Sequence, residues 1–343
     1  MRSVTLDILR IYACALVVIF HWVGKYNWGQ PQALKATAEY GWLGVPIFFM
    51  ISGFIISESV MTRKLGDFAL SRFIRLYSAY LPSLLVTSAV VYSGVALGWA
   101  GLYSQEVLFG IKDWLISMTM MAHLARLATE VNLVDGAYWS LGVEIQFYVM
   151  IGLWVKWTRR SAYQMELFCA LWLAASALTL LMPSWIPNVV LALPYAPYFV
   201  IGIVFAQMAN KKNGVTRHLA LIILSGVLIL ARLEKELGSE EEALVIWWVL
   251  AGVLVIGIFL CDRVSHMHEV KPLNITHWAL LSYPLYLLHQ NIGYVIMDVL
   301  TQKVGAPGWL SLVIAGLIVV GLAKAILSLS DVISRKMKDM LDA

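Results

Sequence analysis

Long apolar runs separated by short polar segments dominate the chain. A helix that crosses a bilayer needs about 20 mainly apolar residues, and ten runs of this kind are present. They lie near residues 5–24, 42–60, 77–98, 139–157, 163–182, 189–208, 218–233, 243–261, 276–297 and 309–330. A further segment, 111–127, is shorter and has charged residues in or beside it. The pattern predicts an all-α integral membrane protein with about ten transmembrane helices.

The distribution of lysine and arginine orients these helices, because cytoplasmic loops carry an excess of both residues. If the N-terminus is cytoplasmic and 111–127 does not cross, 17 of the 25 Lys and Arg residues lie inside, seven lie outside and Lys324 lies within the last span. If 111–127 crossed, the basic loops 156–160 and 211–217 would lie opposite the basic 63–75 loop. We therefore predict that both termini are cytoplasmic and that 111–127 is an outer interfacial or re-entrant segment.

The composition excludes several other classes of protein. Hydrophobic residues make up 60% of the 343 positions and charged residues only 13%, against roughly 25% charged in typical soluble domains. A soluble globular enzyme, a disordered protein and a nucleic-acid-binding module are therefore excluded. Neither a linker nor a strong internal repeat divides the chain, so we predict a single transmembrane domain over residues 1–343.

Ionisable side chains inside the predicted spans are the first candidates for function, because each costs roughly 2.5–3.5 kcal/mol to place at the centre of a membrane helix. Arg10 and His21 are eleven residues apart, which is about three helical turns and about 16 Å along one face. Arg10 would lie near the cytoplasmic boundary and His21 toward the outer side. As an alternative, Asp7 pairs with Arg10 and His21 is an interfacial residue beside Trp22.

Two later spans carry further polar groups. Glu144 lies about five residues into the span 139–157, and Ser140 and Tyr148 share its face. A buried carboxylate needs compensation, so we expect a His or Arg partner or a water-filled cavity at Glu144. In the span 276–297, Tyr286 and His289 share a face, and His289 falls near the middle of the membrane. A core histidine satisfied by a neighbour is the alternative for His289.

Arg72 and Arg75 follow the second span and precede the third. Three residues apart on a helix, they would project from one side. A pair of guanidinium groups suits a phosphate or pyrophosphate. The alternative is that these arginines anchor the cytoplasmic side of the membrane protein, as most such residues do.

These motifs together resemble the acyltransferase-3 family of integral membrane acyltransferases, and the resemblance covers nearly the whole chain. The matching patterns are an arginine and a histidine separated by ten residues (Arg10, His21), G-x-x-G-V-x-x-F-F-x-x-S-G-F (Gly41 to Phe54), R-x-x-R (Arg72, Arg75), W-S-L-x-V-E-x-x-F-Y (Trp139 to Tyr148) and S-Y-x-x-Y-L-x-H (Ser282 to His289). The family often has proline where this chain has Ser78. The chain is most similar to stand-alone members, which have no fused periplasmic hydrolase-like domain.

The resemblance implies transfer of an acyl group, most often acetyl, from cytoplasmic acetyl-CoA or another short acyl-CoA. The implied acceptor is a hydroxyl of a glycan or lipid-linked glycan, such as exopolysaccharide or lipopolysaccharide. A multi-pass protein among the lipids of a bacterial inner membrane is expected, with no metal and no nucleic acid.

The same resemblance assigns roles to residues as hypotheses. His21 would be the general base or a covalent acyl carrier, and Glu144 would orient or charge-balance it. The phosphates of coenzyme A would be bound by Arg10, Arg72 and Arg75. Second-rank candidates for the substrate pocket are Trp139, Ser140, Tyr286 and His289.

Two other functions fit the same residues. A transporter or flippase for a glycan or small molecule would use intramembrane His, Glu and Arg as a proton relay, with Pro194 and Pro197 marking a broken helix. A membrane scaffold for glycan assembly would use the polar groups only for packing.

Overall fold

The computed structural model describes residues 4–99, 109–158, 160–182, 186–210, 214–239, 242, 246 and 275–342. Every regular element within these residues is a helix, which confirms the predicted fold class. The α-helices are α1 (Val4–Ile19), α2 (Gln32–Glu39), α3 (Gly44–Thr62), α4 (Leu65–Ala96), α5 (Ile111–Met118), α6 (Ala122–Ala125), α7 (Trp139–Trp157), α8 (Ala162–Leu181), α9 (Ile186–Val190), α10 (Ala196–Ala209), α11 (Val215–Leu237), α12 (Ile275–Asp298) and α13 (Gly308–Asp342). Short 3₁₀ helices lie at Tyr40–Leu43, Gly136–Tyr138 and Leu193–Tyr195, and π-helical turns lie at Phe20–Lys25 and Val299–Lys303.

Six helical segments of the described chain are long and apolar enough to cross a membrane. They are Val4–Lys25, Gln32–Thr62, Leu65–Ala96, Ala162–Leu181, Val215–Leu237 and Gly308–Met340. Two more predicted spans correspond to α7 and α12, which are long enough at about 28 and 36 Å but carry more polar side chains. Nearly all of the predicted span 243–261 lies outside the described residues. The count of ten and the cytoplasmic termini therefore stay predictions.

The helix after the second span begins earlier than predicted. The predicted span starts at residue 77, after Arg72 and Arg75, but α4 begins at Leu65 and includes both arginines. Ser78, where the family often has proline, continues this helix. Its hydroxyl lies 2.8 Å from the hydroxyl of Ser330 in α13, so the departure from the family pattern leaves the helix intact.

The predicted span 189–208 is not one helix. The chain forms the short α9, turns at Ala192, and resumes as a 3₁₀ turn and then α10. Ala192 is fully buried and has a left-handed conformation, with φ of 47°. The 14 residues of α10 extend only about 21 Å, less than the thickness of a hydrocarbon core.

The segment 111–127 does not cross the membrane as a helix, because α5 has only eight residues and α6 only four. It runs antiparallel to α4: Trp114 donates a hydrogen bond to Ser88 (3.1 Å), whereas Tyr80 donates to the carbonyl of Ser117 (2.6 Å). These contacts favour the re-entrant form of the prediction. Irregular backbone at membrane depth is tolerated where protein surrounds it.

The described residues fall into two compact units. Unit 1 comprises Met1–Leu9, Pro46–Ala69 and Val143–Leu273, and unit 2 comprises Arg10–Val45, Leu70–Gly142 and Asn274–Ala343. In unit 1, α8, α10 and α11 pack together. The aromatic rings of Phe147, Trp172 and Phe199 stack at their centre, with centroids 4.3–5.7 Å apart.

In unit 2, α12 and α13 form an antiparallel hairpin. Gly41 and Gly44 lie directly against backbone carbonyls of α1, so that any side chain at either position would collide with Leu16 or Ala13. These glycines permit close approach of two helices. The packing places α1 close to the residues described next.

Candidate active site

The hydrogen-bonding pattern of the first helix changes at His21, the predicted general base. After Ile19 the chain adopts a π-helical turn, in which the N–H of Tyr26 bonds to the carbonyl of His21 at 2.9 Å. π-helical turns are rare and often occur at functional sites. The ideal α-helical spacing that relates Arg10 to His21 therefore applies only as far as Ile19. Arg10 itself is half-buried in α1.

The ring of His21 contacts a second histidine. His21 Nδ1 lies 2.9 Å from Nε2 of His289 and 3.0 Å from the carbonyl oxygen of Val17. The other ring nitrogen of His289, Nδ1, lies 2.7 Å from the carbonyl oxygen of Tyr286. His289 is fully buried and His21 is half-buried. The structure thus brings together two histidines that the sequence analysis treats separately.

Main-chain and aromatic contacts fix this pair. The indole N–H of Trp22 donates to the carbonyl of His289 at 2.8 Å. The indole lies so close to Gly293 that a side chain at that position would overlap the ring. The hydroxyl of Tyr294 lies 3.4 Å from the carbonyl of His21. The π-helical turn and α12 are therefore held at a fixed separation on either side of the two imidazoles.

Ser140 and Tyr286, two of the predicted pocket residues, bond to each other. Their hydroxyls lie 2.7 Å apart, and Tyr286 also donates to the carbonyl of Ala137 at 2.9 Å. Both side chains are buried, and Trp139 beside them is half-buried. This contact joins the start of α7 to α12 one turn before His289. Binding of substrate by these residues stays a prediction.

Asp135 supports the same part of α12 and was missed by the sequence analysis. Its carboxylate accepts hydrogen bonds from the backbone N–H groups of Ala137 (2.9 Å) and Asn291 (3.0 Å). Burial raises the pKa of Asp135 to about 7, while these two bonds act to lower it. The signal in the sequence was an acidic residue immediately before a 3₁₀ turn, a common capping position.

Glu144 has hydroxyl partners in unit 1. Ser52 and Tyr148 both donate to its Oε1 atom. Tyr148, one turn further along α7, is the neighbour that helical periodicity predicts. Ser52, in α3, is a partner that the periodicity of α7 does not reveal. The two hydroxyls compensate the carboxylate where the sequence analysis expects a histidine, an arginine or water. An effect of Glu144 on His21 stays a prediction.

Arg72 and Arg75 lie on α4 in unit 2. Arg72 is half-buried and Arg75 is exposed, whereas Ile74 and Leu76 beside them are buried. The carbonyl of Leu76 accepts a hydrogen bond from Tyr283 of α12 at 3.2 Å. The arginines are thus carried by a helix that contacts the same α12 as the histidine pair.

Within the part of the chain that the structure describes, no group of three or more His, Cys, Asp and Glu side chains is arranged to hold a metal ion. His266 and His268, which form an H-x-H pair in the sequence, lie outside the described residues.

These features define an all-α, multi-pass membrane protein with a histidine pair and a polar network among its helices. The chain belongs to the acyltransferase-3 family: the family model described as an acyltransferase domain matches residues 4–327. This confirms the resemblance carried by the sequence motifs. No solved structure matches the chain.

Several curated proteins are similar to the chain. Nodulation protein 10 of Rhizobium leguminosarum bv. viciae is 27% identical over 46% of this chain and 46% of its own length. Acyltransferase MdmB of Streptomyces mycarofaciens is 25% identical over 52% of this chain and 45% of its own. Peptidoglycan O-acetyltransferase OatA of Listeria monocytogenes is 23% identical over 84% of this chain and 49% of its own. The chain spans about half the length of these relatives.

Proposed function

We propose that the protein is a membrane-bound O-acyltransferase that moves an acetyl group from cytoplasmic acetyl-CoA, or another short acyl group from its CoA ester, to a hydroxyl of a glycan. Family membership supports the reaction class. The observation that carries the proposal is the environment of His21. Among the described residues, both hydrogen-bond contacts of this half-buried imidazole are made by Nδ1, which leaves Nε2 for a substrate.

Two routes use His21 in this way. In direct transfer, Nε2 takes the proton of the acceptor hydroxyl as its oxygen attacks the thioester carbonyl carbon. The C–S bond then breaks, and the CoA thiolate takes the proton from the imidazolium. In a relay, Nε2 itself attacks the carbonyl carbon and the C–S bond breaks, which gives an acetyl-imidazolium and the CoA thiolate. The acceptor hydroxyl then attacks the acetyl group, the C–N bond breaks, and the hydroxyl proton passes to the thiolate. A positioned base contributes typically 10²–10⁴-fold.

The donor would be bound through its phosphates by Arg10, Arg72 and Arg75. Guanidinium groups pair with phosphate oxygens in a bidentate way, and Arg75 is exposed. With the predicted topology, α4 presents its arginines to the cytoplasm, where coenzyme A is found. Glu144, which accepts hydrogen bonds from two hydroxyls, is a further candidate for a role in the chemistry.

The acceptor is proposed to be a glycan or a lipid-linked glycan of the bacterial cell envelope. This follows from the description of one relative as a peptidoglycan O-acetyltransferase. An inner-membrane location suits an enzyme that takes its donor from the cytoplasm and meets its acceptor toward the outer side.

Thermal stabilisation of the purified protein by acetyl-CoA tests donor binding without knowledge of the acceptor. A ligand at 100 times its dissociation constant adds about 2.7 kcal/mol to the free energy of unfolding. We expect a clear rise in the melting temperature of the wild type. The dissociation constant of Arg72→Ala/Arg75→Ala should be about 10²- to 10⁴-fold weaker, since each of the two lost charged hydrogen bonds contributes about 1.5–3 kcal/mol.

The matched control is Arg335→Ala/Lys336→Ala, which removes two exposed positive charges near the end of α13. If both double variants bind acetyl-CoA equally weakly, Arg72 and Arg75 contribute only through their positive charge and not as specific phosphate ligands. No shift with acetyl, propionyl or succinyl-CoA at millimolar concentration would contradict the proposal. Movement of a glycan across vesicles without consumption of acyl-CoA would then favour the transporter, to which the break at Ala192 also lends support.

A further inference from the structure

The tautomers of the two histidines follow from their partners. His289 Nδ1 lies 2.7 Å from the carbonyl oxygen of Tyr286, and His21 Nδ1 lies 3.0 Å from the carbonyl oxygen of Val17. A carbonyl oxygen only accepts hydrogen bonds, so each Nδ1 carries the hydrogen. In a neutral imidazole the other nitrogen is then an acceptor.

This assignment makes the contact between the rings directional. His289 Nε2 has a lone pair, and His21 Nδ1–H donates to it at 2.9 Å while also facing Val17. The opposite tautomer of His21 would point its Nδ1 lone pair at two acceptors. The arrangement therefore selects the form of His21 in which Nε2 is unprotonated, the form that a general base or nucleophile needs.

We propose that His289 is a positioning residue for His21: it fixes the reactive tautomer and ring orientation, and its Nε2 stabilises the positive charge that His21 acquires during transfer. This inference rests on the proposed function. It gives His289 the orienting role that a carboxylate has in other catalytic histidine systems, and it removes the need for His289 to touch the substrate. Within the described residues, His289 already uses both ring nitrogens in contacts with protein groups.

The surroundings of His289 suit a positioning role. The residue is fully buried, its carbonyl is held by Trp22 at 2.8 Å, and the N–H of Asn291 is held by the carboxylate of Asp135 at 3.0 Å. Titratable groups near the pair include Lys25 on the π-helical turn, Tyr294, whose hydroxyl lies 3.4 Å from the carbonyl of His21, and Tyr286, whose ring lies beside that of His289.

The test compares His289→Leu and His289→Gln with the same two substitutions at His218. His218 is the matched control because it is also fully buried and bonded through Nε2, to Gln207 at 2.9 Å. For each variant we would measure the thermal shift with acetyl-CoA, the kcat and KM for acetyl-CoA, and the pH profile of kcat/KM with the acceptor or with water as acyl acceptor.

We expect His289→Leu to lower kcat by about 10²-fold, the lower end of the general-base range, because Val17 still accepts from His21. The KM for acetyl-CoA and its thermal shift should be unchanged. The acid limb of the pH profile should move to lower pH, because the cationic form of His21 loses an acceptor. His289→Gln should recover part of the rate, since its amide oxygen can accept the same bond. Both His218 variants should keep the wild-type profile per folded protein.

A His289→Leu variant with wild-type kcat and pH profile would overturn the inference while leaving the proposed function standing. The inference would also be overturned if the rate fell only in proportion to the folded fraction and fell equally in the His218 variants. If His289→Leu does not fold, His289→Met takes its place as the variant that removes the imidazole acceptor, and its pH profile gives the decision. Absence of any acetyl-CoA shift in the wild type would instead overturn the proposed function, and the role of His289 with it.

Discussion

Two fully buried histidines, one in each compact unit, have very different partners. His218 in unit 1 bonds to Gln207 and lies 3.2 Å from Glu166, whose carboxylate pairs with Arg217 at 2.5 Å. His289 in unit 2 bonds to the backbone of Tyr286 and to His21. The first network contains a permanent ion pair and joins α8, α10 and α11. The second network leads to the half-buried imidazole of His21, whose Nε2 is available to a substrate.

The contrast shows why burial of an ionisable group is a weak guide to function. Each histidine is costly to bury and each is compensated by hydrogen bonds. The two histidines differ in the group at which their hydrogen-bond network ends. A hydrogen-bond network in which every member is bonded to another protein group stabilises the fold. A network that ends at an imidazole nitrogen open to a substrate can also exchange a proton or an acyl group.

Removal of the terminal group should give the largest difference between the two networks. We expect His21→Ala to lower acyl transfer by about 10³-fold or more, because either route needs its Nε2. The acetyl-CoA thermal shift should remain, since the proposed phosphate ligands are untouched. Radiolabelled acetyl transfer and the thermal shift, measured on the same preparation, separate the two effects.

The matched variant is His218→Gln, which should transfer acetyl at the wild-type rate per folded protein. Turnover retained in His21→Ala would show that His21 takes no part in the chemistry. His21 and His218 would then both have structural roles.

Breaking the ion pair beside His218 should lower stability alone. Glu166 is buried, whereas the Arg217 side chain is 58% exposed. Glu166→Gln should therefore lower the free energy of unfolding by about 1–2 kcal/mol, less than the 3–5 kcal/mol lost from a fully buried pair. Thermal unfolding monitored beside acetyl transfer checks this.

Arg217→Gln is the companion variant, and it should cost at least as much, because it leaves the buried Glu166 carboxylate without its positively charged partner. A fall in kcat without a fall in melting temperature, in either variant, would show that the network around His218 also serves catalysis. The two networks would then not differ in function.

Helical periodicity explains which of these features could be predicted from the sequence. Apolar runs indicate spans, and the contact between Glu144 and Tyr148 lies within one turn of α7, so local geometry suffices. Arg72 and Arg75 are likewise local, although the predicted start of their helix was wrong. The family motifs add His21 to the set of candidates without giving its partner.

Contacts between distant helices could not be predicted in this way. A periodic pattern gives the face of a helix but not the helix that packs against it. His21 and His289 are 268 residues apart, and Ser52 and Glu144 are 92 apart. The π-helical turn and the left-handed Ala192 are local departures from ideal geometry that no apolar pattern reveals. Asp135 lies in an irregular segment, where periodicity gives no information.

A change at Asp135 should have the smallest effect of these variants, and it tests the network around His289 specifically. Because its folded pKa is raised to about 7 from an unfolded value of about 3.9, the native state binds more protons than the unfolded state between these values. The stability contribution of Asp135 is therefore complete below pH 4 and is lost as the pH rises through 7. Linkage gives a loss of about 1.4 kcal/mol between pH 6 and pH 8.

Asp135→Asn removes this titration and keeps one carbonyl acceptor for the two backbone N–H groups. We expect the melting temperature of the wild type to fall more steeply between pH 6 and pH 8 than that of Asp135→Asn. Equal slopes in wild type and Asp135→Asn would mean that this carboxylate titrates elsewhere, and that the support of α12 near His289 does not depend on its charge.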